Sequence, residues 1–490
     1  MKILMATSEA VPWAKTGGLA DMVSALSIAL ANLGHEVKIV LPRYYSIERD
    51  KLEAVPGALG VPTGSGEEWS EVYTAYLPGS DDKIQAYFID HEIFFGRDGI
   101  YGVPSEPDFL DNPRRFTFFS KAVFQLCRKI SWFPDIIHSH DWPTAMVPVF
   151  LKFAERNAAT EFSGTTSVLT IHNLGYQGIY SKDNFAYCGL GWDVFYKAGF
   201  EDWSMLNLLK AGLYSADKIN TVSPNYAEET KTQQNGFRLD GVLRYRSDDY
   251  SGILNGIDDK VWNPSTDTMI PKTYSAEDLS GKAKAKEALQ KEFGLPVNAN
   301  VPLIGMVTRL TDQKGVGELF GPGYGCAWSI CRDMDLQMVL IGTGEAWCEH
   351  EIMSLSSRLS NFSAKITHSE ELSHLVQAGA DFFLMPSRYE PCGLNQMYSL
   401  AYGTIPIVRK TGGLIDTVEN YDQETGGGTG FMFDDLTPSA IFNTAGWAVW
   451  AWYNRRDHIT EMLQRGMKQD FSWEKSAKKY VRLYEETREK

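Results

Sequence analysis

Nowhere in the 490 residues do two cysteines stand as CxxC, so the chain has neither a zinc ribbon nor a thioredoxin-type redox pair. The six cysteines, at positions 127, 188, 326, 331, 348 and 392, are scattered. The nearest grouping, Cys326, Cys331 and Cys348, reads as structural thiols rather than metal ligands. Positive charge is in deficit: 47 Lys and Arg stand against 62 Asp and Glu, a net charge of −15. That balance argues against nucleic acid or an anionic membrane as the main partner, while leaving room for a small basic pocket that takes a polyphosphate. There is no run of about 18 apolar residues, so no membrane-spanning helix is expected. The opening Met1–Thr7 reads as a strand rather than a charged and apolar leader. With unpaired thiols, this sets the expectation of a cytoplasmic protein. The dinucleotide fingerprint GxGxxG is also missing. Gly321-Pro-Gly-Tyr-Gly325 is glycine-rich but has the wrong spacing, and no helix clearly follows it.

What is present is a long alternation of strand and helix signals. A hydrophobic content of 43% and an aromatic content of 12% suit a large packed protein. In the first half, Ile3–Thr7, Glu36–Leu41, Ile84–Ile89, Ile136–His138 and Val168–His172 are short apolar strands. Gly18–Leu33 and Phe116–Ile130 have helical periodicity. Leu52–Ser70, rich in Gly, Pro and acids, reads as a surface loop or hairpin. The character changes near Ser251–Pro264, where Ile253–Asp258 reads as a strand running into a loop. After a Lys-rich helix, Lys282–Phe293, the alternation restarts with Leu303–Thr308, Gln337–Ile341, Ala364–Thr367, Phe382–Pro386 and Ile405–Val408. The expectation is two Rossmann-like α/β domains, residues 1–250 and 262–468. A last helix with apolar positions at Ala477, Tyr480, Val481 and Tyr484 lies in 469–490 and is expected to pack back on the first domain.

The chemistry-bearing residues fall at the ends of these strands. Glu390 lies on a Pro/Gly-rich turn after an apolar strand and just before a helix that starts near Leu394. Ligands of open α/β sheets bind there. A carboxylate repels phosphate, so Glu390 is suited to holding hydroxyls. Lys15-Thr-Gly-Gly18 joins the first strand to the first helix and offers a cation and uncovered backbone amides. It can equally be a tight turn with a solvated lysine. The same four letters recur at Lys410–Gly413. Arg309 and Lys314 stand five apart on a loop, with no carboxylate cluster for Mg²⁺ nearby, so cations can stabilise a departing phosphate without a metal. His138 and His140 alternate on one strand, but no third or fourth metal ligand follows at a suggestive spacing. Asn255 can hydrogen-bond sugar hydroxyls or serve as the turn residue before Gly256.

These motifs carry a resemblance. SEAVPWAKTGGLADMVSAL, HSHDW, IHNLGYQG, VTRLTDQKG and EPCGLNQMYSLAYGT, in this order, resemble the glycogen synthase/starch synthase family of retaining glycosyltransferases with the GT-B fold, from Met1 to about Gly430. Many retaining relatives carry a second glutamate eight residues after the first. Here the position is Tyr398, as is typical of this family. The resemblance implies two Rossmann-like domains facing each other across a deep cleft and closing on the donor. It also implies ADP-glucose as donor, glycogen or another α-1,4-glucan as acceptor, and no cofactor or metal. The missing plastid leader points to a bacterial type.

By the same resemblance, Lys15 and the Gly18 amide contact the donor diphosphate, and Asp21 lies near the acceptor or the sugar. Asp141 lies near the transferred glucose, and His172 and Asn173 belong to the glucose pocket. Arg309 and Lys314 face the leaving diphosphate. Gly342–Glu345 approaches the nucleotide, and His368 takes a place where relatives often carry an aromatic ring beside adenine. Cys392, Gly393, Leu394 and Asn395 form the donor loop with Glu390. Three other readings compete. They are a retaining GT-B glucosyltransferase using UDP-glucose or a different acceptor, an NAD-dependent oxidoreductase (disfavoured by the missing fingerprint), and a silent glucan-binding protein. The last would be expected to lose Lys15, Arg309, Lys314 or Glu390, and all four are present.

Overall fold

The computed structural model describes residues 1–157 and 159–489. It comprises two compact units, Met1–Gly256 with Trp473–Lys490, and Ile257–Ser472. Each is built on a doubly wound, mainly parallel sheet of the Rossmann type, the two-domain GT-B fold. No described helix is long and apolar enough to cross a membrane.

In the first unit the strands are, in chain order, β1 Lys2–Ala6, β2 Glu36–Pro42, β3 Glu53–Ala54, β4 Leu59–Thr63, β5 Gly66–Tyr76, β6 Gln85–Asp90, β7 Ile136–His140, β8 Thr166–Ile171, β9 Ile179–Ser181, β10 Glu201–Asp202, β11 Met205–Asn207, β12 Lys218–Thr221 and β13 Tyr250–Gly252. The main sheet runs β13-β12-β8-β7-β1-β2-β6-β5-β3, with β4 paired to β5, and β10-β11-β9 form a small antiparallel sheet. Winding goes outward from β1 through β2 to β6, then returns to β7 and continues the other way. The reversal therefore lies between β1 and β7, both parallel to each other. The stretch Leu52–Ser70 holds short strands, including half of the β4–β5 hairpin. The strand near Ile253 is displaced upstream to Tyr250–Gly252, leaving Ile253–Gly256 irregular.

In the second unit the strands are β14 Leu303–Val307, β15 Gln337–Ile341, β16 Phe362–Lys365, β17 Phe382–Met385, β18 Ile405–Arg409 and β19 Phe431–Phe433. The order is β16-β15-β14-β17-β18-β19, and every pair is parallel. Here the winding reverses between β14 and β17. The strands read as unbroken apolar runs because helices cover both faces of a parallel sheet. A short helix, Ala327–Asp333, does follow the Gly321–Gly325 loop. It begins after a turn that the sequence pattern did not reveal.

Two interior features fix the scaffold. In the second unit Lys282 is buried, and its Nζ donates to the carbonyls of Ala378, Ala380 and Tyr402 (2.9–3.2 Å) and lies 2.8 Å from Thr404 Oγ1. One side chain thereby ties helix Ser280–Glu292 to the strand ends beneath it. In the first unit the helix Trp473–Arg488 packs against helix Gly18–Asn32. It buries Ala477, Tyr480 and Tyr484 in the same core as β7 and β8, while Val481 is only partly buried.

Candidate active site

The two winding reversals are where the candidate residues gather, because the loops leaving neighbouring strands in opposite directions open a crevice at their carboxyl ends.

At the reversal in the first unit, the loop after β1 is shaped by Glu9. This buried carboxylate accepts from the Thr16 and Gly17 amides, the Thr16 hydroxyl (2.7 Å) and the Tyr101 hydroxyl (2.6 Å). It clasps the Lys15–Gly18 turn from below. Gly18 begins the helix Gly18–Asn32. A Cβ on Gly17 would meet nothing within 4 Å, so the backbone here is open to a ligand. Lys15 pairs with Asp21 at 2.8 Å, both well exposed. Such a pair contributes at most about 1 kcal/mol, so a diphosphate can draw Lys15 away at little cost.

Across the reversal, the last residue of β7, His140, is followed by Asp141. Its φ of 55° and ψ of −171° lie in a region that is nearly reserved for glycine. The strain is held by the Asp141 amide donating to the Thr170 carbonyl (2.9 Å) and by Asp141 Oδ1 accepting from the amides of His172 (2.7 Å) and Asn173 (3.5 Å). The carboxylate keeps some exposure but is crowded by protein. Burial pushes its pKa up to about 7 against the pull of the two amides, and the negative charge of Glu9 adds to the rise. His172 leaves β8 beside it, its pKa lowered by burial to about 3. It is therefore a neutral imidazole. Asn173 Oδ1 accepts from the Gly175 amide at 3.0 Å. Asn255 is buried, and its Oδ1 has no hydrogen-bond partner among the described residues.

At the reversal in the second unit, Lys314 follows β14 and Glu390 follows β17. Lys314 Nζ lies 2.5 Å from Glu390 Oε2, which also accepts from Ser387 Oγ at 2.9 Å. Both charged side chains are largely buried. The adjoining crevice is lined by Val307, Thr308, Lys314, Pro386, Ser387 and Asn395, and Asn395 is anchored through Nδ2 to the Val307 carbonyl (2.9 Å). Arg309 is exposed and, among the described residues, its side chain reaches only Gln313 Oε1, at 3.5 Å. Cys392 is buried, so it can offer a ligand only backbone atoms. Gly393 has a φ of +70°, and Leu394 precedes the helix Asn395–Ala401. His368 is exposed on the loop after β16. Gly342 and Gly344 interlock with the Arg309 loop, since a Cβ on either would strike the carbonyl of Thr308 or Leu310.

The second KTGG does different work from the first. The Gly413 amide donates to the Glu390 carbonyl at 3.0 Å. A Cβ on Gly412, at φ +48°, would sit 1.8 Å from that same carbonyl oxygen. Gly412→Ala is therefore expected to displace the Glu390 turn, costing about 2–3 kcal/mol and lowering kcat about 10²-fold. Gly17→Ala, with an extended backbone and open space, is expected to change stability by less than about 0.5 kcal/mol. Denaturant melts of the two variants check the contrast. Equal stabilities would show that the turn yields freely.

His138 and His140 differ in how their rings are engaged. Both ring nitrogens of His138 are engaged, Nδ1 with Tyr484 Oη (2.8 Å) and Nε2 with Thr170 Oγ1 (2.6 Å). No cluster of three metal-binding side chains occurs among the described residues. The six cysteines are buried, and none is in a disulfide among the described residues. Glu9, Tyr101 and Ser387 were not singled out from the sequence. The Ser-Glu-Ala opening and the three-residue spacing of Ser387 and Glu390 were visible there, but only the folded loops show what they hold.

Residues 2–245 match the family model of the starch synthase catalytic domain, and residues 288–444 match that of glycosyl transferases group 1. The chain is 57% identical over 490 residues to the glycogen synthase of Treponema denticola, covering 100% of this chain and 99% of that protein. It is 46% identical to glycogen synthase 1 of Geobacter metallireducens, covering 99% and 95%. Among solved structures it is similar to the catalytic domain of starch synthase IV from Arabidopsis thaliana bound to ADP and acarbose. The TM-score is 0.88 and the identity 31%, covering 100% of this chain and 99% of that one.

Proposed function

The chain belongs to the glycogen synthase/starch synthase family, and from that premise we propose that it transfers glucose from ADP-glucose to the non-reducing 4-OH of an α-1,4-glucan, with retention of configuration. The observation that carries this reading is the Lys314–Glu390–Ser387 cluster at the winding reversal of the second unit. A lone carboxylate there would repel a diphosphate. Lys314 neutralises it, so one site can hold sugar hydroxyls on Glu390 and tolerate phosphate beside them.

In this scheme the second unit is the nucleotide-sugar domain. Arg309 and Lys314 stabilise the charge that builds on the diphosphate as the C1–O bond breaks. His368 stacks beside the base, and the Cys392–Asn395 backbone borders the donor. The first unit is the acceptor and catalytic domain. Lys15 and the Gly18 amide hold the diphosphate, Asp21 borders the acceptor side, and Asp141, His172, Asn173 and Asn255 hold the glucose. The acceptor 4-OH bonds to C1 on the face the phosphate leaves, and its proton passes to the departing phosphate oxygen. No side-chain nucleophile is required.

The test is incorporation of glucose into glycogen with purified enzyme. ADP-glucose is expected to be strongly preferred over UDP-glucose. Equal or better use of UDP-glucose would reject the donor, and incorporation from neither would reject the reaction.

A further inference from the structure

His140 is fully buried, lies one residue before Asp141, and has no place in the scheme above. Its Nδ1 lies 3.2 Å from His172 Nε2, whereas its own Nε2 is buried with no hydrogen-bond partner among the described residues. A single proton lies between the two rings, and there are two ways to place it. If it sits on His172 Nε2, the neutral His140 must carry its proton on Nε2, which is then a buried N–H with nothing to donate to. If it sits on His140 Nδ1, the atom left unpaired is only an imidazole lone pair. Orphaned buried N–H groups are rarer and costlier than under-used acceptors. The second arrangement is favoured, and it leaves His172 protonated on Nδ1.

The neighbouring hydrogen bonds fix the tautomer of His138, whose ring lies beside that of His140. Asn220 Nδ2 donates to the Thr221 carbonyl (2.9 Å), which fixes Asn220 Oδ1 as an acceptor. Thr170 Oγ1 donates to that oxygen at 2.6 Å, and Tyr480 Oη donates to it at 3.1 Å. Having spent its proton, Thr170 Oγ1 must accept from His138 Nε2–H, so His138 Nδ1 accepts from the Tyr484 hydroxyl. His138 is thus a neutral ring of known tautomer, with its centroid 4.2 Å from that of His140. Burial of all three imidazoles opposes any second proton.

We propose that His140 is a positioning residue that locks His172 as the Nδ1–H tautomer, so that His172 meets the sugar as a hydrogen-bond donor rather than as a base. The sugar is the one assigned under the function proposed above, and the inference rests on that reading. The lock itself is a property of the protein alone. A hydroxyl oxygen of the bound glucose is the acceptor that such a donor suits, and a ligand group able only to donate would be rejected.

Two measurements test this. In protein labelled with ¹⁵N-histidine, with His172 assigned from the lost signal of His172→Ala, Nδ1 of His172 is expected to be protonated and Nε2 unprotonated from pH 6 to 9. A proton on Nε2 would overturn the proposal. The second measurement compares His140→Asn with His140→Leu. These side chains match each other in shape, but only Asn places an N–H where Nδ1 stood. The Leu variant is expected to lose about tenfold in kcat, the size of one hydrogen bond, with a smaller change in KM, while the Asn variant stays within about threefold of the parent. Equal losses in both would reduce His140 to packing and overturn the lock. If the Leu variant does not fold, the ¹⁵N spectrum of the parent enzyme still decides. Failure of the proposed function would show separately, as absence of glucose transfer by the unaltered enzyme.

Discussion

Replacing Lys314 with alanine is expected to lower kcat by about 10²–10³-fold, the scale on which a single preorganised charge donor acts at a developing negative charge. The same change strips Glu390 of its counter-ion. Glu390 is 5% exposed and, among the described residues, is left with Ser387 as its remaining side-chain donor. Breaking a largely buried pair from one side costs about 3 kcal/mol or more, so Lys314→Ala should also be less stable in denaturant. Two controls separate the causes. Arg309→Ala removes an exposed cation whose side chain reaches only Gln313 among the described residues, so turnover should fall over the same range with stability unchanged. Adding Glu390→Gln to Lys314→Ala should restore stability by removing the orphaned charge, and leave turnover low. Near-normal kcat in Lys314→Ala would reduce this cation to a structural counter-ion.

Asp141→Asn should pull stability and activity in opposite directions. Burial raises the Asp141 pKa to about 7 from 3.8. Between those two values the native state holds a proton that the unfolded chain releases, so unfolding becomes easier as pH rises through that window. The stabilisation from a neutral Asp141 is complete below about pH 4 and lost above about pH 7. Asparagine has no charge to bury, and its Oδ1 can still accept from the His172 amide. At pH 8 the variant is expected to be more stable than the parent by about 1–3 kcal/mol, and the gap should close toward pH 4. Turnover should drop about 10²-fold, because the proposed function has Asp141 holding the transferred glucose through its carboxylate. Paired denaturant curves at pH 4.5 and pH 8 check the sign. A variant no more stable than its parent at pH 8 would mean that the ionised carboxylate is well solvated.

Much of this was readable along the chain because parallel strands, buried on both faces, are short apolar runs with punctuation at their ends. Gln337–Ile341 was read with the bounds the structure gives it. Placing Asp141, His172, Lys314 and Glu390 in the loops that leave strands needed only that punctuation. Bringing Lys314 and Glu390 to 2.5 Å needed the strand order. It makes β14 and β17 neighbours although their first residues, Leu303 and Phe382, are far apart in sequence. The Glu9 clasp was hidden for a related reason, since an acid before a glycine turn has many ordinary uses. The two KTGG copies look alike in sequence and differ in the fold, where Gly17 faces open space and Gly412 lies against the Glu390 carbonyl. A four-residue pattern carries no record of what crosses above it. The tautomer of His172 is more remote still, because it is set by a vacancy on a different ring.

The return of the last helix to the first unit also bears on how the protein is made. Tyr480 and Tyr484 fill that unit's core and hydrogen-bond Asn220 and His138, yet a ribosome delivers them only after the whole of the second unit, Ile257–Ser472. The second unit is one continuous stretch of chain and can complete its core while synthesis is still under way. The first unit, whose larger part precedes the second, must wait with His138 and Asn220 unsealed until the helix Trp473–Arg488 emerges. Birth order and completion order are thus inverted, and the nascent first unit is the species most exposed to chaperones and proteases.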